Sequence, residues 1–141
     1  MRKMSRAEAR AFLAEGARTA TVATVRADGS PHAVPVWFIV DGDAVVFTCA
    51  RDSVKARNLT RDPRAAVSVD DERFPYSFVS VSGGVQVADR PPDLLDWTTR
   101  IARRYVGDAR ADEYGRRDAE LDDWVVWLSL DRVFGGADVA A

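Results

Sequence analysis

At 141 residues the chain predicts one domain with room for a real core, and 47% apolar with 30% charged residues is ordinary for a soluble protein. A net charge of −2, with the basic residues scattered, argues against nucleic-acid or membrane partners. The single cysteine, Cys49, excludes an internal disulfide, and with one histidine, His32, a zinc ion would need mostly carboxylates, so no metal is expected.

The N-terminal MRKMSRAEARAF has no signal-peptide core and no run reaches membrane-spanning length, so the expected location is the cytoplasm. Ser5-Arg6-Ala7-Glu8 fits a capping box, Phe12 and Leu13 give the helix an apolar face, and Gly16 ends it. Residues 18–26, RTATVATVR, read as a strand, and Asp28-Gly29 as a hairpin turn. Residues 31–40 return as a second strand. Pro35 inside it cannot donate to a ladder, so that part is an edge, a bulge, or a place where a ligand replaces the neighbouring strand.

A third strand over residues 44–48 breaks into a polar segment, 49–53, and resumes as a helix from Ser53 to Arg61, stopped by Asp62-Pro63. Residues 64–69 and 76–87 read as strands, with a bulge at Gly83-Gly84 in the second. Pro91-Pro92 opens a helix whose Leu94, Trp97, Ile101 and Tyr105 share one face. A polar helix over 109–120 and a strand over 124–130 follow. About six strands with short connections predict a mainly β, antiparallel barrel with peripheral helices.

One stretch stands out, AVVFTCARDSVKARNL at 44–59. A strand that yields to a helix start presents free N–H groups and the positive end of the helix dipole, a favourable place for phosphate. The chain has only two lysines, Lys3 and Lys55, and Lys55 sits in that first turn with Arg51 before it and Arg57 after. A compact ammonium suits a phosphate; a solvated basic helix start is the alternative. Cys49 reads as a nucleophile or, following a buried-looking strand, as a structural thiol. His32 reads as an acid/base or as a partly exposed hydrogen-bonding group. Trp37 and Phe38 suit either a flat cofactor wall or the core, and the cluster at 74–78 either a pocket or a dimer interface. With no GxSxG, HExxH or phosphate loop, the chain looks like a scaffold whose bound cofactor supplies the chemistry.

Five segments together carry a resemblance: TVRADGSPH at 24–32, PVWF at 35–38, DSVKARNL at 52–59, RDPR at 61–64 and PYSFV at 75–79. They resemble the pyridoxamine 5′-phosphate oxidase-like split-barrel superfamily, and within it the deazaflavin-dependent branch of flavin/deazaflavin oxidoreductases, common in actinobacteria. The resemblance implies a homodimeric, six-stranded split β-barrel with two cofactor sites between subunits. It implies a phosphate held by Thr48, Ser53, Val54 and Lys55, with Cys49, Arg51 and Asn58 in the same cofactor-binding set. Ala33, Val34, Pro35, Val36 and Trp37 would run along the ring system. Tyr76, Ser77, Phe78 and Val79 would reach it from the partner chain. Where vitamin B6 oxidases carry Ser-Arg-Lys, this chain has Ser53-Val54-Lys55, and their C-terminal substrate motif is reduced to Arg132-Val133-Phe134-Gly135-Gly136. Both departures point away from vitamin B6 chemistry; coenzyme F420 carries a phosphate and a polyglutamate tail that Arg51, Arg57 and Arg61 would accompany, with surface salt bridges the alternative reading of those arginines. The expected activity is hydride transfer from reduced F420 to an apolar, planar, unsaturated or quinone-like substrate, with His32 or solvent as proton source. The alternatives are an FMN-binding flavoprotein and a non-catalytic carrier of the cofactor or a tetrapyrrole.

Overall fold

The computed structural model describes residues 1–141. After a two-residue strand, β1 (Arg2–Lys3), helix α1 (Arg6–Ala14) starts on the expected capping box: the Ser5 hydroxyl accepts from the Glu8 N–H at 3.1 Å, and the Glu8 carboxylate accepts from the Ser5 N–H at 3.3 Å. Ala9, Phe12 and Leu13 turn inward and plug one end of the barrel.

Strands β2 (Ala20–Val25) and β3 (Pro31–Val36) form the expected hairpin, with Asp28 accepting from the Ser30 N–H and Gly29 at φ +85°. The strand expected over 31–40 is broken. Trp37 and Phe38 lie outside any strand, and β4 (Ile39–Asp41) pairs instead with β5 (Ala44–Cys49). The cause is local: the Phe38 N–H donates to the Tyr105 hydroxyl at 2.9 Å, so it does not enter a ladder. β3 ends the strand order, so Pro35 sits on an edge strand, one of the places where its missing N–H is tolerated.

Helix α2 (Val54–Arg61) connects β5 to β6 (Arg64–Asp71), which pairs with the long β7 (Ser77–Asp89). Helices α3 (Leu94–Val106) and α4 (Asp108–Ala119) pack together, and β8 (Trp124–Ser129) and β9 (Arg132–Ala137) complete the sheet. Nine strands form, where about six were expected; the additional ones are β1, β4 and β9. The fold class stands: an antiparallel sheet curled into a split barrel with helices around it.

The expected bulge at Gly83-Gly84 is instead a crossing. Up to Ser82, β7 has β6 on one side and β9 on the other; from Val85 it pairs with β8. A Cβ on Gly83 would overlap the Ser129 carbonyl oxygen and stand 2.8 Å from the Asp131 carboxylate, so only glycine fits where the strand changes sheets. The core joins both halves, with Phe38, Phe47, Leu13 and Leu128 its largest fully buried side chains. Val46, Leu94, Trp97 and Val125 form a second cluster where α3 covers the outside of β5 and β8.

Candidate anion site

β5 stays buried to its end because one face lines the barrel and the other lies under α3. Cys49 is therefore the last strand residue, one position later than expected, and buried; burial pushes its thiol up to about 11, which removes it as a nucleophile near neutrality. After a turn, Ser53 caps α2, its hydroxyl accepting from the Ala56 N–H at 3.1 Å. The N–H groups of Val54 and Lys55 have no acceptor within the chain. Lys55 is half-buried. Every intrachain ion pair uses an arginine, and Lys55 takes no part in any. An unpaired, half-buried ammonium beside two free N–H groups at a helix start fits an anionic oxygen cluster such as a phosphate.

The structure brings three further groups to Lys55. Its charge acts on His32 of β3, on Cys49 of β5, and on Asp123 just before β8. His32 Nδ1 is buried without a hydrogen-bond partner, and burial, then Arg26 and Lys55, hold the imidazole neutral below its usual range. Beside it, Asn58 donates to the Thr24 hydroxyl at 2.9 Å, and both are buried. That bond ties α2 to β2 and fixes where Lys55 stands. Asp123 and Thr24 were not singled out in the sequence. Asp123 sat in an Asp-Asp pair that reads as surface charge; its place directly before the buried run at 124–130 was the only signal.

The other basic candidates already have partners. Arg51 pairs with Asp89, and Arg57 and Arg61 bond backbone carbonyls, of Asp52 and Val25. Thr48 is half-buried beneath the corner, paired in register with Val125. Register gives β3 a direction: His32 lies opposite Thr24, level with α2, while Val36 lies opposite Ala20. Ala33 and Pro35 are exposed; Val34 and Val36 are half-buried. Trp37 stacks on Tyr105, centroids 4.8 Å apart and planes 7° off parallel.

Tyr76–Val79 belong to the other end of β7. From Phe78 to Gly84, where β6 emerges from α2, is about 20 Å of strand. Val79 is fully buried, Ser77 and Phe78 half-buried, and Tyr76 is exposed at φ +70°. Around it Phe74, Phe134 and Val139 are also exposed. Arg73 holds the adjoining Asp71 carboxyl well below the usual carboxylate range, through bonds of 2.8 to 3.2 Å.

The sequence of 5–133 matches the family model for pyridoxamine 5′-phosphate oxidase, and the chain belongs to that family. Among solved structures, it is similar to a conserved hypothetical protein, Rv2991, of Mycobacterium tuberculosis, with 27% identity, TM-score 0.79, and coverage of 92% of this chain and 82% of that one. It is also similar to a protein titled as an F420 reductase, with 26% identity, TM-score 0.69, and coverage of 86% and 93%. The FAD and haem binding protein of Mycobacterium smegmatis, at 23% identity, TM-score 0.74 and coverage of 96% and 72%, shares the fold. No curated protein matches. No helix is long and apolar enough to cross a membrane.

Proposed function

We propose that this chain is an F420-dependent reductase, active as a homodimer. The observation that carries the reading is Lys55: an unpaired ammonium at the start of α2, beside the free N–H groups of Val54 and Lys55. The F420 reductase neighbour favours the deazaflavin over FMN.

In this reading Lys55 and the α2 N–H groups hold the phosphate, with the Ser53 hydroxyl fixing the first turn. β3 leads from that corner toward Trp37, and its exposed Ala33 and Pro35 leave a flat edge against which a planar ring can lie. The bound coenzyme supplies a hydride to an unsaturated or quinone-like acceptor. The residues supply position and exclusion of water, which carry most of the catalytic advantage in hydride transfer. His32 stands at the phosphate end, several residues of strand from where the ring would lie, so in this reading the proton comes from solvent. Tyr76, Ser77 and Phe78 lie at the far end of β7 from the α2–β6 connection, and their exposed surroundings suit a second copy that takes them across the interface.

The test is fluorescence titration with coenzyme F420, FMN and riboflavin, followed by oxidation of reduced F420 against quinones and enones. F420 binding with turnover supports the proposal. FMN binding without F420 binding replaces it with the flavoprotein reading, and F420 binding without turnover replaces it with a carrier. Sedimentation should show a dimer; a monomer that still binds F420 would remove the shared site.

A further inference from the structure

His32 holds an atom that the rest of the chain does not use. The residue is half-buried, and its Nδ1 is wholly buried with no hydrogen-bond partner. Only one other side-chain polar atom shares that condition, Trp124 Nε1 at the start of β8. Buried polar atoms are nearly always satisfied, so an orphan of this kind points to a partner from outside the chain. Register fixes where the imidazole stands. His32 lies directly opposite Thr24, so the two side chains share one face of the β2–β3 hairpin, about 5 Å apart at Cβ. α2 lies over that face, because Asn58 donates to the Thr24 hydroxyl at 2.9 Å. Lys55 precedes Asn58 by three residues and shares its side of the helix. The arginines of the hairpin are already committed. Arg26 donates to the Pro31 carbonyl at 2.7 Å and to the Ser30 hydroxyl at 3.4 Å, and Arg61 donates to the Val25 carbonyl. They brace the backbone and leave Nδ1 open toward α2.

From this arrangement we infer that His32 is a ligand of the anion: Nδ1 carries a proton and donates it in a hydrogen bond to an oxygen of the phosphate that Lys55 holds. The inference rests on the anion-site reading above and deepens it, extending the site from one helix start to the strand across from it. A neutral imidazole has one N–H, on the nitrogen that its partner selects. An anionic oxygen beside Nδ1 selects Nδ1–H, and Nε2, which is not buried, then accepts from water. The ring stays neutral in this step, so no net proton is taken up.

The chain has one histidine, so its ring nitrogens give an uncrowded 15N NMR spectrum. Inorganic phosphate is titrated at about pH 8, where a free imidazole is neutral. Binding is followed separately on the amide signals of Val54 and Lys55. The expected result is an Nδ1 signal displaced by phosphate and in the protonated range when phosphate is bound. An Nδ1 that stays unprotonated or unmoved while those amides respond overturns the role of His32 and leaves the anion site intact. Variants sharpen the assignment, since an asparagine amide nitrogen reaches about as far as Nδ1 and a glutamine amide nitrogen about as far as Nε2. His32→Gln should weaken phosphate roughly tenfold and His32→Asn should recover most of that loss. Equal loss in both overturns the donor role; if the variants do not fold, the wild-type spectrum decides alone. Undiminished phosphate binding by Lys55→Ala, or wild-type amides that phosphate does not move, overturns the anion site and the role of His32 together.

Discussion

The two ends of β3 treat polar groups in opposite ways. At the Trp37 end almost everything is paired. The Tyr105 hydroxyl accepts from the Phe38 N–H at 2.9 Å and lies 2.9 Å from the Arg18 carbonyl and 3.1 Å from that of Phe38. Arg104 donates to the carbonyls of Leu13, Glu15, Gly16 and Phe38 and lies over the Phe38 ring. At the His32 end, the Lys55 ammonium and two α2 N–H groups have no partner within the chain, and His32 Nδ1 is buried without one. The first end is a clasp that fastens α3 to the barrel. The second keeps its hydrogen-bonding capacity in reserve, and in a folded chain such reserve is costly unless a ligand uses it.

Mutations should separate the two ends. Arg104→Ala should destabilise the protein by about 3 kcal/mol in denaturant unfolding, because several carbonyls lose a charged donor. Arg104→Lys should not restore that loss, since an ammonium cannot span the same set of acceptors. A near-neutral Arg104→Ala would dissolve the contrast. Lys55→Ala should weaken cofactor binding by about 1.5–3 kcal/mol in fluorescence titration while unfolding stability stays within about 0.5 kcal/mol. Loss of stability there would make Lys55 structural. Tyr105→Phe, keeping the stack on Trp37, should cost about 1 kcal/mol of stability for the hydroxyl alone.

The smallest effect is the pH dependence from His32. Its folded-state proton affinity is depressed by burial, so below about pH 6.5 the unfolded chain binds the proton more readily. Stability should therefore decline as pH falls through that value toward the folded one, and His32→Gln should remove that part of the decline in unfolding curves. An unchanged profile would show that His32 is solvated in both states.

Much of the clasp and the frame was legible because its signals are local. The capping box, the Asp28-Gly29 turn and the helical spacing of Trp97, Ile101 and Tyr105 each depend on a few neighbouring residues. β9 was not legible, because Gly135 and Gly136 read as a chain end. They are glycines for a tertiary reason: a Cβ at Gly135 would stand 2.9 Å from the Met4 Cβ, and one at Gly136 2.8 Å from the Phe78 ring. The anion corner was legible as a strand yielding to a helix with a rare lysine. Its acidic neighbour was not, because burial of Asp123 follows from how β8 docks on β5 and from nothing in its own sequence surroundings.

The glycine crossing in β7 carries a consequence for anyone recombining this chain with relatives. Residues 77–89 serve two sheets with one backbone, and the Ser129 carbonyl leaves position 83 no room for a side chain. A chimera joined inside that stretch would pair one parent's left half with another's right half through a seam neither was shaped for. Breakpoints belong in surface turns such as Asp28-Gly29, where a swapped segment brings its own partner strand with it.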